Sequence, residues 1–470
     1  MAESKPSFTS LEELLRAQPS TDASVAATDL AGADTNKQWT TWAKKAKATI
    51  SSVILTPLVA ANGALLVTQL DDVAALPVDQ NAAALVVIYA ALLHNQRQHA
   101  EGLRTLIPRV AALVRAADAD TLRRVPDQVV DLAKRLAAAI SLVPAAAVVH
   151  PLVNLARKFA LPDSITAVHV YALHACLLSH NFKAVLPILS TDKTTTQKPI
   201  NIKDVLLYHY LGGMVYTALK RYTEACELFS FNMIAPGRGV SQIQVESYKK
   251  WALVSLLATG RVPKPPKTDS DMFANVILHH ARVYKDLATA FDTGSLAQFQ
   301  AIMDASHTAA TLRADGNYGL ARQALDALAR HKVQALTTTF LTLAVADLAV
   351  LADVPDVERM VAGMIADKQV RAVIRQEPVG SAAMVQFLDD EHAFDDDATH
   401  ADVAARIEKV VKAAAAVRGI NEAMALTGSK ASGRGGSFGV SERDMAMQAA
   451  LLNSYDDMDV GYLDDPMEVL

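Results

Sequence analysis

The chain has 470 residues, enough for two or three domains at about 150 residues each. Hydrophobic residues make up 51% of it and aromatics only 6%, and an apolar fraction carried by Ala, Leu and Val suits stacked helices better than a β-sandwich. A formal net charge of −5 supplies no global basic field, so nucleic acid is not expected as a main partner, and two cysteines are too few for a disulfide framework.

The first ten residues are polar and lack the apolar run of a signal peptide. The most hydrophobic stretch, Ala82 to Leu93, is about twelve residues long, against about twenty for a membrane span. The chain is therefore expected to be soluble and intracellular, with Cys176 and Cys226 as buried free thiols in helical stretches.

A short amphipathic helix is expected over Leu11 to Arg16, after Ser10 as N-cap, and Ser20 to Lys37 reads as a linker. From Trp39 onward apolar residues recur at helical spacing. Breaks are expected at Pro57, Asn62-Gly63, Leu76-Pro77, Pro108, Pro126, Pro144, Pro151 and Pro162, where a helix begins or ends. Helices of about 12 to 20 residues joined by short turns describe a solenoid. The clearest repeat runs from Tyr208 to Pro236. In it Gly213, Tyr216, Ala225 and Phe229, placed around a turn at Arg221-Tyr222, match a tetratricopeptide-like (TPR-like) hairpin. A second hairpin is expected over Ser241 to Ala258, ended by Gly260. The proline-rich Arg261 to Lys267 is a rigid connector, and helical pairs resume from Met272 to His331.

Near Leu336 the pattern changes. A β-branched start leads into a helix whose apolar face includes Leu343, Leu348 and Leu351. A second helix follows, with Pro355 at its start and Val357, Met360, Val361, Met364 and Ile365 inward. The alternation around Val370 to Gln376 and Ala382 to Asp390 gives two strands about a Pro378-Val379-Gly380 turn. Helix, strand, two helices and a terminal hairpin together make a winged-helix unit. Its second helix carries Glu358, Arg359, Asp367 and Lys368 and is near neutral, which favours protein over the DNA major groove. Edge pairing with a neighbour's strand is the expected mode. After the acidic run Asp389 to Asp397, one more helix over Ala401 to Leu426 carries the apolar stripe Val403, Ile407, Val410, Val411 and Val417. Gly428 to Gly439 reads as flexible, and the acidic tail beyond it need not fold.

Reactive chemistry finds little support. His279-His280 point about 100° apart on a helix, and His169 and His174 are off one face, so neither pair chelates well. Gly212-Gly213 lies inside a hairpin and no Lys-Ser/Thr follows Gly433 to Gly439, so neither cradles phosphate. The Gly-x-Ser-x-Gly at Gly435 to Gly439 lies in the Gly/Ser-rich stretch read as flexible, not on a strand-to-helix elbow, and Asp395-Asp396-Asp397 reads as solvated linker. No catalytic residue, metal or cofactor is expected.

Helical repeats leading into a winged helix resemble the layout of the PCI-domain proteins. The segment Ser241, Ile243, Glu246, Tyr248, Lys249 and Lys250, after a Tyr-rich helix with Gly212-Gly213, is similar to the subunit-3 family of the COP-nine signalosome. So are Thr339 to Leu343 and, in part, Asp347-Leu348-Ala349. The resemblance implies a mostly α chain organised in order as residues 1–38 (helix and linker), 39–200 (helical repeats), 201–335 (TPR-like repeats of the PCI module), 336–390 (winged helix), 401–426 (bundle helix) and 428–470 (tail). It implies a non-catalytic scaffold, cytoplasmic and nuclear, that supports removal of NEDD8 from cullins and so regulates cullin–RING ubiquitin ligases, which it meets indirectly. Its partners would be the other PCI subunits, joined through Val370, Ala372, Val373, Ile374, Met384, Val385 and Phe387 of the winged helix, and a helical bundle joined through Val403, Ile407, Val410, Val411 and Val417. A PCI subunit of the proteasome lid or of translation initiation factor 3 is the alternative with the same fold.

Overall fold

The computed structural model describes residues 38–39, 41–43, 76–189, 193, 195–235, 240–264, 279–354, 356–367, 369–376, 383–388 and 397–431. The expected Leu11 to Arg16 helix, the Ser20 to Lys37 linker and the breaks at Pro57 and Asn62-Gly63 lie outside these residues, as does everything after 431. The chain divides into two units, one ending at Phe387 and the other beginning at Leu388.

The first unit is mainly helical. Its early part runs α1 (Val78–Asn95), α2 (Ala100–Ala116), α3 (Ala119–Arg124), α4 (Pro126–Ala138) and α5 (Ala145–Phe159). A two-residue parallel bridge between β1 (Ser164–Ile165) and β2 (Thr195–Thr196) brackets α6 (Ala167–Ser179) and α7 (Leu186–Leu189). Then follow α8 (Ile202–Ala218), α9 (Tyr222–Ile234), α10 (Gln242–Thr259), α11 (Arg282–Asp292), α12 (Leu296–Asp304), α13 (Ser306–Ala314) and α14 (Tyr318–Thr337).

Helix starts follow local chemistry. Pro77 and Pro144 stand at N-caps and Pro126 at the first helical position, where a missing N–H costs nothing. Asn201 with Asp204, and Ser241 with Gln244, form capping boxes. Two expected breaks are overturned: Pro108 lies inside α2 and Pro151 inside α5. In α2 the buried Leu103, Leu106, Ile107, Val110, Leu113 and Val114 contribute about 1.5–3 kcal/mol each, which outweighs the roughly 3 kcal/mol cost of an interior proline. Burial overrides the local signal in the same way around Pro151, which is itself buried with Val148, Val149 and Leu152.

Ala82 to Leu93 is the inner helix of the stack, buried on nearly every face of α1. That explains its hydrophobicity, and no described helix is long and apolar enough to cross a membrane. Two cations tie helix ends together around it. Arg123 of α3 donates from Nε to Phe159 O (3.3 Å) and from an Nη to Ala160 O (3.2 Å), capping α5. Lys158 near that same end donates from Nζ to Ala117 O (3.0 Å), capping α2.

The α8–α9 hairpin follows the expected pattern. A Cβ on Gly213 would lie 2.6 Å from the Phe229 ring, so only glycine lets the helices approach this closely. Tyr216 and Phe229 are both buried beside it. The second expected hairpin, Ser241 to Ala258, is instead the single helix α10, capped by Ser241 at one end and by Gly260 at φ 71° at the other. No turn-forming residue interrupts it. One continuous core joins these helices from Trp39 to Leu328.

A second, smaller core begins at Val333 on α14 and gathers β3 (Thr342–Ala344), α15 (Val345–Ala352), α16 (Val357–Ala366), β4 (Ala372–Arg375) and β5 (Met384–Phe387). The sheet is antiparallel in the order β3-β5-β4.

The second unit is described by one element, α17 (Asp397–Ala431), which is 35 residues long. It exceeds the expected 401–426 at both ends and enters the Gly428 to Gly439 stretch read as flexible. Asp397 favours the N-terminal end through the helix dipole, and the alanine run Ala413 to Ala416 has the highest helix propensity available.

Candidate interaction surfaces

The register of the small sheet decides which expected interface residues are available. Leu343 pairs with Val385, and Val385 with Ile374; Ala372 pairs with Phe387. These residues share the inner face, with Ala372, Val385 and Phe387 at 7%, 0% and 5% exposure against Leu348, Val361 and Met364. Val370 is buried in the same core. Val373 and Met384 stand on the outer face, 38% and 46% exposed. The interface expected from the sequence thus separates into two groups. Val370, Ala372, Val385 and Phe387, with the partly buried Ile374, hold the lobe together from within; Val373 and Met384 are the side chains presented outward. β5 occupies the centre of the sheet. Its backbone is engaged on both sides, so a further strand has only β4 or β3 to join.

One more expectation for this lobe changes. Leu351 is 47% exposed and Leu343 lies on β3, so of the apolar face drawn through Leu343, Leu348 and Leu351, only Leu348 is buried within α15. The helix has eight residues, and Leu348 and Ala352, one turn apart, define its inner side. On α16 the inward set stands as expected: Val357, Val361 and Met364 are buried, and Met360 and Ile365 pack against them.

On α17 all five expected stripe residues are exposed: Val403 at 49%, Ile407 at 59%, Val410 at 68%, Val411 at 61% and Val417 at 56%. The stripe continues through Ile420 and Met424, which the sequence reading left out although the same spacing of three and four predicts them. A helix face of this length and apolarity exposed to water is a candidate interaction surface.

The Ser241 to Lys250 segment builds something that sequence reading missed. Glu246 and Lys249, one turn apart on α10, meet at 2.9 Å, and Lys249 Nζ also donates to Asp315 Oδ1 at 2.9 Å. The Tyr284 hydroxyl on α11 donates to Asp315 Oδ2 (2.7 Å) and accepts from Asn317 Nδ2 (2.7 Å). Lys250 Nζ closes the set on Asn317 Oδ1 at 2.7 Å. Burial opposes the charge of Lys249, but its bonds to Asp315 and Glu246 outweigh it and raise its pKa. Burial lowers that of Lys250 and raises the Tyr284 phenol above its ordinary range. Every member has a partner, so the network joins α10, α11 and the α13–α14 turn as a structural clasp.

The other chemistry-bearing side chains also do structural work. His169 Nδ1 accepts from the Thr166 backbone N–H at 3.1 Å as part of a capping box, and burial, with the charge of Lys193, lowers its pKa to about 3. Burial pushes the Cys176 thiol up to about 12, far from a nucleophile's range. Cys226 is only half-buried, 3.6 Å from Ser255 Oγ, and its pKa is also raised, mainly by burial. Among the described residues no group of three or more His, Cys, Asp or Glu is placed to hold a metal.

Residues 59–273 match the family model described as COP9 signalosome complex subunit 3, N-terminal helical repeats. A protein of Arabidopsis thaliana named COP9 signalosome complex subunit 3 is 32% identical over 294 residues, 61% of this chain and 66% of its own length. The helical repeats are thus similar to those of COP9 signalosome subunit 3. A protein of the same name from Dictyostelium discoideum is 32% identical over 219 residues, 46% of this chain and 52% of its own. The shared stretch falls short of two thirds of either relative. The segment matched to the COP9 subunit 3 repeats ends before α11, so the clasp partners Tyr284, Asp315 and Asn317, the small sheet and α17 all lie beyond it.

Proposed function

We propose that this chain is a non-catalytic scaffold subunit of the COP9 signalosome and that its small C-terminal lobe is a winged helix of the PCI type. The observation that carries this reading is the match of the helical repeats to subunit 3 of that complex in two organisms. The chain order of the small lobe supports it: a helix, a strand, two helices and a two-stranded hairpin, with the last strand in the middle of the sheet. So do a sheet edge at β4 open to a further strand and an exposed apolar stripe on α17 suited to a helical bundle. In this reading the lobe of residues 336–390 joins neighbouring PCI subunits through the β4 edge, with Val373 and Met384 beside it. The helix over 401–426 enters a bundle of subunit helices. The subunit then supports removal of NEDD8 from cullins, in cytoplasm and nucleus, and reaches cullin–RING ligases indirectly.

The test is a tagged pull-down of the full chain from its native cell at moderate salt, with partners identified by mass spectrometry. Recovery of the remaining signalosome subunits, the metalloprotease included, is expected. Recovery of proteasome-lid or initiation-factor subunits in their place would overturn the assignment and keep the scaffold fold.

A further inference from the structure

A concavity of about 900 Å³ lies between the α8–α9 turn, the end of α10 and the middle of α14, with the segment after α16 on its rim. That is within the range of ligand pockets, roughly 300–1,000 Å³. α14 contributes Gln323, Asp326, Arg330 and Gln334 to its wall. Their spacing of three, four and four is that of one helical face. Gln323, Asp326 and Arg330 are exposed on this wall and so are available to a ligand. Here Asp326 and Arg330 stand four apart in the order that favours an ion pair, yet among the described residues no ion pair joins them. None engages Lys220 or Asp367 either, which enter from the α8–α9 turn and from the end of α16. Lys220 is moreover held at φ 60°, where glycine fits with less strain.

The lining selects among ligands. A polyanion meets repulsion from Asp326 and Asp367, and an apolar ligand leaves every one of these groups without a partner. A peptide answers all of them: carboxamides pair with main-chain N–H and C=O groups, and the two cations of the lining, Lys220 and Arg330, can take a carboxylate. We propose that this concavity binds an extended peptide segment bearing an Asp or Glu side chain, its carboxylate held by Lys220 and Arg330 and its main chain by Gln323 and Gln334. Because the wall includes Asp367, the bound peptide also bridges the helical repeats to the small sheet lobe. The proposal does not depend on which assembly holds the chain.

The test selects a phage-displayed library of short unstructured peptides against the full chain and measures the enriched peptides by fluorescence anisotropy. Peptides with an acidic residue are expected to be enriched, and K220E/R330E is expected to weaken them at least about tenfold, with D326K/D367K altering which flanking charges are preferred. Lys220, Arg330, Asp326 and Asp367 are all exposed, so these variants are expected to fold, which circular dichroism checks. Three outcomes would overturn the proposal: no enrichment, enriched peptides that bind K220E/R330E as well as wild type, or tight binding of inorganic polyphosphate that those peptides fail to displace.

Discussion

Lys249 on α10 and Asp315 in the α13–α14 turn, 66 residues apart in sequence, are joined at 2.9 Å, and the lysine side chain is only 8% exposed. Removing one partner of such a buried pair leaves the other charge uncompensated. Lys249→Met is therefore expected to lower unfolding free energy by about 3 kcal/mol, measured by urea denaturation. Adding Asp315→Asn to it should cost clearly less than the sum of the two single changes. Additive losses would show that the two residues do not act as a pair.

The close approach at Gly213 gives a second test. Gly213→Ala puts a methyl into the Phe229 ring and should destabilise by about 1–3 kcal/mol. Gly363→Ala, in the interior of α16 with nothing near its added Cβ, should stabilise by about 0.5–1 kcal/mol. Equal melting shifts from both would contradict the packing described.

His169 predicts acid sensitivity. Its folded pKa, about 3, lies below the ordinary 6.5, so between those values the unfolded state binds the extra proton. Stability is thus full above pH 6.5 and falls as pH drops toward 3, by a total on the order of 3–5 kcal/mol. His169→Asn, which keeps an acceptor for the Thr166 N–H but does not titrate, should flatten that slope in denaturation curves across the range.

Val373 and Val385 face opposite sides of the sheet, so aspartate at each should behave differently. Val385→Asp buries a charge and is expected to unfold the small lobe; Val373→Asp is expected to leave circular dichroism and melting unchanged. Under the scaffold reading both lower co-purification of partner subunits, the second without loss of fold. Normal assembly of the Val373 variant would remove the outer sheet face from the interface.

Under the scaffold reading, deleting 401–426 should release the chain from the complex while deleting 440–470 changes little, as gel filtration of cell extract would report. A milder version is Ile407→Asp with Val410→Asp, which leaves the helix exposed and intact but interrupts its stripe.

The parts of this molecule that sequence disclosed are those whose causes are local. The α8–α9 hairpin was readable because Gly213 and Phe229 sit within one repeat, and β4 and β5 because each strand's alternation is contained in a few consecutive residues. Pro108 and Pro151 misled for the complementary reason, since burial by distant helices outweighs a local break. The split of the small sheet into inner and outer faces needed the register, which alternation alone leaves undetermined for Val373. The clasp was invisible because Lys249, Tyr284 and Asp315 come from separate helices, and the residues quoted from the Ser241 to Lys250 segment gave no sign of what they would meet.

Arg123 and Lys158 make the ends of α2 and α5 answer for each other. Each cation keeps one helix terminus from fraying, and Lys158 itself belongs to the terminus that Arg123 holds. Loss of either grip loosens the other, so amides near residues 113–117 and 156–160 should exchange with deuterium together, as one cooperative opening rather than two.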